Sequence, residues 1–112
     1  MIRGGIYQID LGRPRGHEQG GHRFGVVVSP SDSVLTVATV VPTSTSAVAT
    51  HFRPEITILG HSTRLLIDQM KAIDVRYIHD LVGIMGVDDL EALDLGISRY
   101  LGLYPRLVSK QG

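Results

Sequence analysis

The chain has 112 residues, a formal net charge of zero from 11 basic and 11 acidic side chains, and no cysteine. That length supports one domain whose modest core a partner subunit would help to stabilise, and near-average apolar and charged content excludes wholesale disorder. Disulfides, thiolate zinc sites and cysteine nucleophiles are excluded. The lack of a membrane-length apolar run or an N-terminal signal segment predicts cytoplasmic residence without a membrane partner.

Ile2, Ile6, Ile9 and Leu11 around Tyr7 and Asp10 alternate imperfectly and predict a half-buried first strand ending at Gly12. Gly4-Gly5 marks a bend where a neighbour packs closely. A long loop follows, and then Phe24 to Ser29 reads as a central strand closed by Pro30. Ser31 to Ser33 form a turn into a second β-branched run, Val34 to Val41, which pairs with the preceding strand as a hairpin and leads into Pro42. Pro54 to Leu59 is a further strand, closed by Gly60. Thr63 to Ile67 leads into the rough alternation of Asp68 to Asp74, and Leu81 to Gly86 reads as the last strand. Asp88 is placed to cap a helix with apolar positions Leu90, Leu93, Ile97 and Leu101, and Gly102 stops it. Asp89, Glu91 and Asp94 lie toward the positive end of its dipole, and Gly96 inside it predicts close packing. Five or six short strands and one helix predict a mainly β chain, a strongly bent antiparallel sheet or partly open barrel with the helix laid against it.

The loop Gly12 to Gly25 concentrates the positive charge of this neutral chain. It carries Arg13, Arg15, Arg23, His17 and His22 against the single acid Glu18. A glycine-rich, electropositive loop delivered by a buried strand can present cations and backbone N–H groups to phosphate, although such loops are also simply solvated. Pro42-Thr43-Ser44-Thr45-Ser46 is dense in hydroxyls that either serve a site or bond local backbone. The five histidines show no helical i, i+4 pair and no companion cysteine, so neither a metal nor another cofactor is expected.

Four segments in order resemble the MazF/PemK family of toxin endoribonucleases. They are Arg3-Gly4-Gly5-Ile6-Tyr7 with Asp10-Leu11, the loop Arg15-Gly16-His17-Glu18-Gln19-Gly20-Gly21-His22-Arg23, the segment Val40-Val41-Pro42-Thr43-Ser44-Thr45, and Leu66-Ile67-Asp68-Gln69-Met70-Lys71-Ala72-Ile73-Asp74. The resemblance implies an SH3-like antiparallel barrel of the MazF/CcdB type over residues 1–104, with 105–112 as a C-terminal tail. It also implies a homodimer that cleaves single-stranded mRNA at short sequences without a metal and is neutralised by a cognate antitoxin. The family's functional arginine falls on Arg23 and its hydroxyl on Ser44, with Thr43 and Thr45 as alternative registers. Phe24 stands where the family usually has proline.

Cleavage without a metal requires the ribose 2′-OH to attack phosphorus, a group to accept its proton, a donor for the departing 5′-oxygen, and stabilisation of the phosphorane. Arg23 suits the last task, worth about 3 to 4 kcal/mol for such transition-state donors. Glu18 and His22 are rival proton carriers, since strand neighbours 22 and 23 point to opposite faces. Ser44 can bond the phosphate or orient the 2′-OH. Arg13, Arg15, Gln19, Thr43, Thr45 and Arg53 are the expected RNA contacts. Asp68 and Gln69 read bases or lie at a subunit interface, unless Asp68 is a structural acceptor between strands. The alternative is a non-catalytic CcdB-like poison of DNA gyrase on the same fold. Such poisons act through a C-terminal helix ending in Trp-Gly-Ile, whereas this chain ends Val108-Ser109-Lys110-Gln111-Gly112.

Overall fold

The computed structural model describes residues 1–17, 20–30 and 36–104. Among these described residues seven strands precede one helix: β1 (Gly5–Asp10), β2 (His22–Val27), β3 (Val37–Ser44), β4 (Glu55–Ile58), β5 (His61–Leu65), β6 (Lys71–Asp74), β7 (Ile78–Ile84) and α1 (Val87–Tyr100). Single 3-10 turns lie at Ile67–Gln69 and Val75–Tyr77. Every strand pairing is antiparallel, in the order β4-β5-β3-β2-β1-β7, with β6 also pairing β3. The result is a bent half-barrel with a C-terminal helix, as the alternation and the late change of period predict. The expected turn at 31–33 and the tail at 105–112 lie outside the described residues.

The central strands are apolar on both faces because both faces are covered. Ile6, Val26 and Val41 join one cluster with Leu65, Ile67, Met85 and Leu93. Their strand neighbours Tyr7, Val27 and Val40 join Ile9 and Ile73 in a second. This is why β2 and β3 read as continuous β-branched runs. β3 holds β2 along one edge and two partners in succession along the other: Val37 to Val40 face β6, whereas Thr43 and Ser44 face β5.

Helix α1 lies against this sheet through buried Leu93 and Gly96, with Leu90 and Ile97 packed alongside. A Cβ on Gly96 would come within 2.5 Å of Ile67 Cδ1, so the close packing expected there is real. Gly4, at φ +82°, likewise leaves only 3.3 Å between a built Cβ and Leu90 Cδ1. Arg3 ties the sheet to the helix, donating to the Asp94 carboxylate at 2.9 Å and to the Val28 carbonyl.

Several expectations are corrected. The helix cap is Gly86, with no side-chain cap bond, and Asp88 sits in the first turn with Asp89, where the dipole still favours acid. Leu101 is the exposed C-terminal cap rather than a core position. β2 starts at His22 and β7 at Ile78, both earlier than apolarity indicates, because ladder bonding to β1 extends past the buried stretch. Asp68 and Gln69 leave the strand pattern for the 3-10 turn that separates β5 from β6.

Candidate active site

Pro42 was expected to end a strand, but β3 continues to Ser44 and Pro42 ends a pairing instead. The β2–β3 ladder runs from Val27↔Val40 to Gly25↔Pro42 and stops there, while the Pro42 carbonyl on the opposite edge of β3 accepts the Leu66 N–H at 2.8 Å. Beyond that point β2 stays with β1, as Ile9↔Arg23 and Asp10↔His22, while β3 stays with β5, as Thr43↔Leu65 and Ser44↔Arg64. The two strands splay and leave a cleft of about 330 Å³ between residues 22–24 and 43–46, flanked by Ile58, His61 and Thr63 of the β4–β5 hairpin.

Side chains satisfy the backbone groups that the splay exposes. Thr43 Oγ1 donates to the Phe24 carbonyl at 2.7 Å, and Arg23 Nη1 donates to the Thr43 carbonyl at 2.7 Å. Arg23 Nε and Nη2 both donate to the Gly20 carbonyl, at 3.1 and 3.0 Å. Gly20 can present that carbonyl because a Cβ there would lie 2.5 Å from the Pro14 nitrogen. The loop neck is closed by Leu11 N–H to the Gly21 carbonyl and Gly21 N–H to the Gly12 carbonyl, with Gly21 at φ +74°. Arg23 is thus clamped across the splay by carbonyls.

A guanidinium has five N–H donors, and three are bound here, so one on each terminal nitrogen remains for an incoming anion. Partial burial lowers the Arg23 pKa from its ordinary value, and no carboxylate among the described residues forms an ion pair with it. Arg3, Arg53, Arg64 and Arg76, by contrast, each close on an acid. A desolvated cation held by neutral carbonyls attracts an anion more strongly than a surface arginine does.

The structure separates the candidate residues into groups. Arg23, His22, Thr43, Ser44 and Thr45 border the cleft together. Thr43, expected as an RNA contact, is 3% exposed, and its hydroxyl donates to the Phe24 carbonyl. Ser44 is half-buried, and its Oγ accepts the Ser46 N–H at 3.2 Å. His22 is exposed, its Nε2 3.9 Å from Asp10 Oδ2. Arg13 and Arg15 line a different hollow of about 590 Å³, with Lys71, Asp10, Asp74 and Tyr77. Glu18 and Gln19 lie outside the described residues.

Arg53 and Asp68 are committed to each other. Arg53 Nε and Nη2 donate to Asp68 Oδ1 and Oδ2 at 3.0 and 2.9 Å, and these bonds raise the arginine's pKa and hold the carboxyl below its ordinary value. Phe52 meets Tyr100 edge-to-face at 5.3 Å, and Tyr100 Oη donates to the Asp68 carbonyl, so this group braces the helix end. Asp68 thus makes the acceptor bonds of the structural reading, between the β5–β6 turn, Arg53 and Tyr100. Gln69 Nε2 reaches the His17 carbonyl at 3.5 Å, joining the 3-10 turn to the basic loop. His61 is the cleft residue that sequence reasoning missed, having weighed it only as a metal ligand. The signal available was its place just after Gly60, where a tight hairpin aims it back along β3.

Fold and cleft together define a small half-barrel protein built around one anion-seeking arginine. Residues 2–101 match the family described as PemK-like, MazF-like toxin of type II toxin–antitoxin system, and the chain belongs to that family. A candidate toxin of Mycobacterium tuberculosis is 46% identical over 105 residues, which are 92% of this chain and 99% of that protein. MazF of Deinococcus radiodurans superposes with a TM-score of 0.77 at 25% identity, over 88% of this chain and 94% of that one. An endoribonuclease of a mycobacterial species, solved with its cognate antitoxin, shares the fold with a TM-score of 0.77 at 16% identity, over 92% and 96% of the two chains. The family resemblance and the SH3-like barrel with its C-terminal helix are borne out.

Proposed function

We propose that this type II toxin is a metal-independent endoribonuclease that cuts single-stranded mRNA at short sequences and leaves 2′,3′-cyclic phosphate ends. The observation that carries the reading is Arg23, clamped by the Gly20 and Thr43 carbonyls with one N–H left on each terminal nitrogen. Two remaining donors on one planar group suit the non-bridging oxygens of a phosphodiester, whose charge grows as the 2′-oxygen adds to phosphorus. Ser44, at the lip of the same cleft, donates to the phosphate or orients the 2′-OH. Proton transfer falls to His22 or Glu18. Arg13 and Arg15 hold flanking phosphates, with Gln19 and Thr45 as further contacts. Among the described residues the Ser44 hydroxyl is bonded to Ser46 and to no histidine or carboxylate that would activate it, so the ribose supplies the nucleophile.

The working form is a homodimer in the cytoplasm, and a cognate antitoxin blocks it by occupying the basic groove in place of RNA. The test is incubation of the purified chain, in EDTA, with long unstructured RNA, mapping the cuts and the chemistry of their ends. Recurrent cuts at one short motif with cyclic ends, lost in Arg23→Ala, are expected. A folded, antitoxin-free protein that cut none of several diverse RNAs would refute the reading and favour a gyrase-type, protein-binding toxin.

A further inference from the structure

We propose that His61 is a proton-transfer residue of this cleft; the proposal rests on the ribonuclease reading above. Ile58 and His61 are register partners, joined by Leu59 at φ +49° and Gly60 at φ +83°, so both central residues of a two-residue turn are left-handed. Leucine is an uncommon occupant of that conformation, and its backbone strain is held in place by the strands on either side. The far face of the hairpin is locked by the Arg64–Glu55 ion pair at 3.2 Å and by Ser62 donating to Glu55. Alternation along β5 sets His61 on the face of buried Thr63 and Leu65, and both His61 and Thr63 border the cleft.

The strand order then supplies the chemistry. β5 carries His61, β3 carries Ser44, and β2 carries Arg23 and His22, in that spatial sequence. A phosphodiester bound between Arg23 and Ser44 would have the His61 imidazole toward its β5 side. In-line cleavage needs a proton carrier on each side: as the O2′–P bond forms, one group takes the 2′-OH proton, and as the P–O5′ bond breaks, a group on the opposite side gives a proton to O5′. His61 fills one of these places and the other proton carrier of the ribonuclease reading fills the second. The products are a 2′,3′-cyclic phosphate and a 5′-hydroxyl, and solvent returns both groups to their starting states. Imidazole is the side chain whose two forms are both at hand near neutral pH. Among the described residues, the charged group facing His61 across the cleft is Arg23; β3 offers only hydroxyls there, Glu55 and Arg64 turn to the other face of β5, and His22 turns with Asp10 to the face of β2 opposite Arg23.

The experiment uses the full-length chain and its His61→Gln and His61→Asn variants on an oligonucleotide holding one ribonucleotide at the mapped cut site. The expected result is a fall in kcat of about 100-fold or more, with one limb missing from the bell-shaped pH–rate profile. Binding of the uncleavable all-deoxy analogue should be unchanged. A second substrate with a bridging 5′-sulfur, which departs without a proton, assigns the side: rescue of both variants makes His61 the acid, and lack of rescue with the limb lost makes it the base. Wild-type rates, or a lower rate with both limbs intact, would overturn the proposal while leaving the ribonuclease reading standing. A wild-type chain that cuts no RNA would overturn both.

Discussion

Replacing Arg23 by lysine keeps the charge and removes the geometry, which makes it the sharpest test of the cleft. The guanidinium spans the Gly20 and Thr43 carbonyls with three N–H groups and holds two in reserve. An ammonium has three protons on one atom and cannot bridge both carbonyls and a phosphate together. Coulombic attraction survives in Arg23→Lys, whereas the paired donors aimed at the phosphorane do not, so kcat should fall about 100-fold with a smaller change in KM. Arg23→Ala loses charge as well and should cost about 1,000-fold, or about 4 kcal/mol of transition-state stabilisation. It also strips two carbonyls of their donors, at about 1 to 3 kcal/mol of stability, so rates belong well below the melting midpoint of each variant. Steady-state cleavage of a single-stranded oligonucleotide, beside thermal melts by circular dichroism, separates the two effects. An Arg23→Lys protein with wild-type kcat would refute the claim that the clamped fork stabilises the transition state.

Ser44→Ala should lower kcat by about 100-fold without shifting the melting midpoint, because its hydroxyl bonds only the exposed Ser46 in the free protein. Gly96→Val should destabilise the fold by about 1 to 3 kcal/mol in a urea titration, since its Cβ would meet the fully buried Ile67, and an unchanged midpoint would contradict that packing. Arg53 holds the Asp68 carboxyl below its unfolded value, so the stability it contributes is complete above about pH 4 and is lost as pH falls through the folded value. Asp68→Asn should therefore flatten the acid limb of a stability–pH curve below about pH 4 while lowering stability at pH 7. Cleavage should proceed in EDTA at an unchanged rate, and its loss in chelator, restored by a divalent ion, would require a metal.

Much of the architecture was legible because both periodicities are strong in this chain. The β-branched runs around Val26 and Val41 read correctly as a central hairpin, and Leu90, Leu93 and Ile97 marked the helix face. Boundaries were less legible, since a ladder extends wherever backbone partners exist: His22 and Arg23 pair with β1 although neither is apolar. Gly86 as the helix cap left no side-chain signal at all. At the site, the Arg23 and Ser44 region stood out by composition and motif, but the pairing of Arg53 with Asp68 joins residues 15 positions apart and is a tertiary fact. Thr43 and Ser44 look equivalent as letters. Strand alternation and the Phe24 carbonyl divide them into a structural hydroxyl and an accessible one.

The end of the β2–β3 ladder joins the fold to the chemistry. Past the Gly25↔Pro42 pair β2 follows β1 while β3 follows β5, and their divergence opens the cleft. The strands would collapse on one another or flood with water unless their loose carbonyls were bonded, and Thr43 and Arg23 supply those bonds. Arg23 is thereby fixed in its rotamer before any ligand arrives, so little entropy remains to be lost on binding a phosphate. Zero net charge gives the chain no broad electrostatic pull on RNA, and four arginines are closed on acids of the chain itself. The attraction left over is local, centred on the splay and the basic loop beside it. Such an arrangement suits recognition of a short segment of single strand at one point rather than coating of a polyanion, as the proposed cutting at a short motif requires.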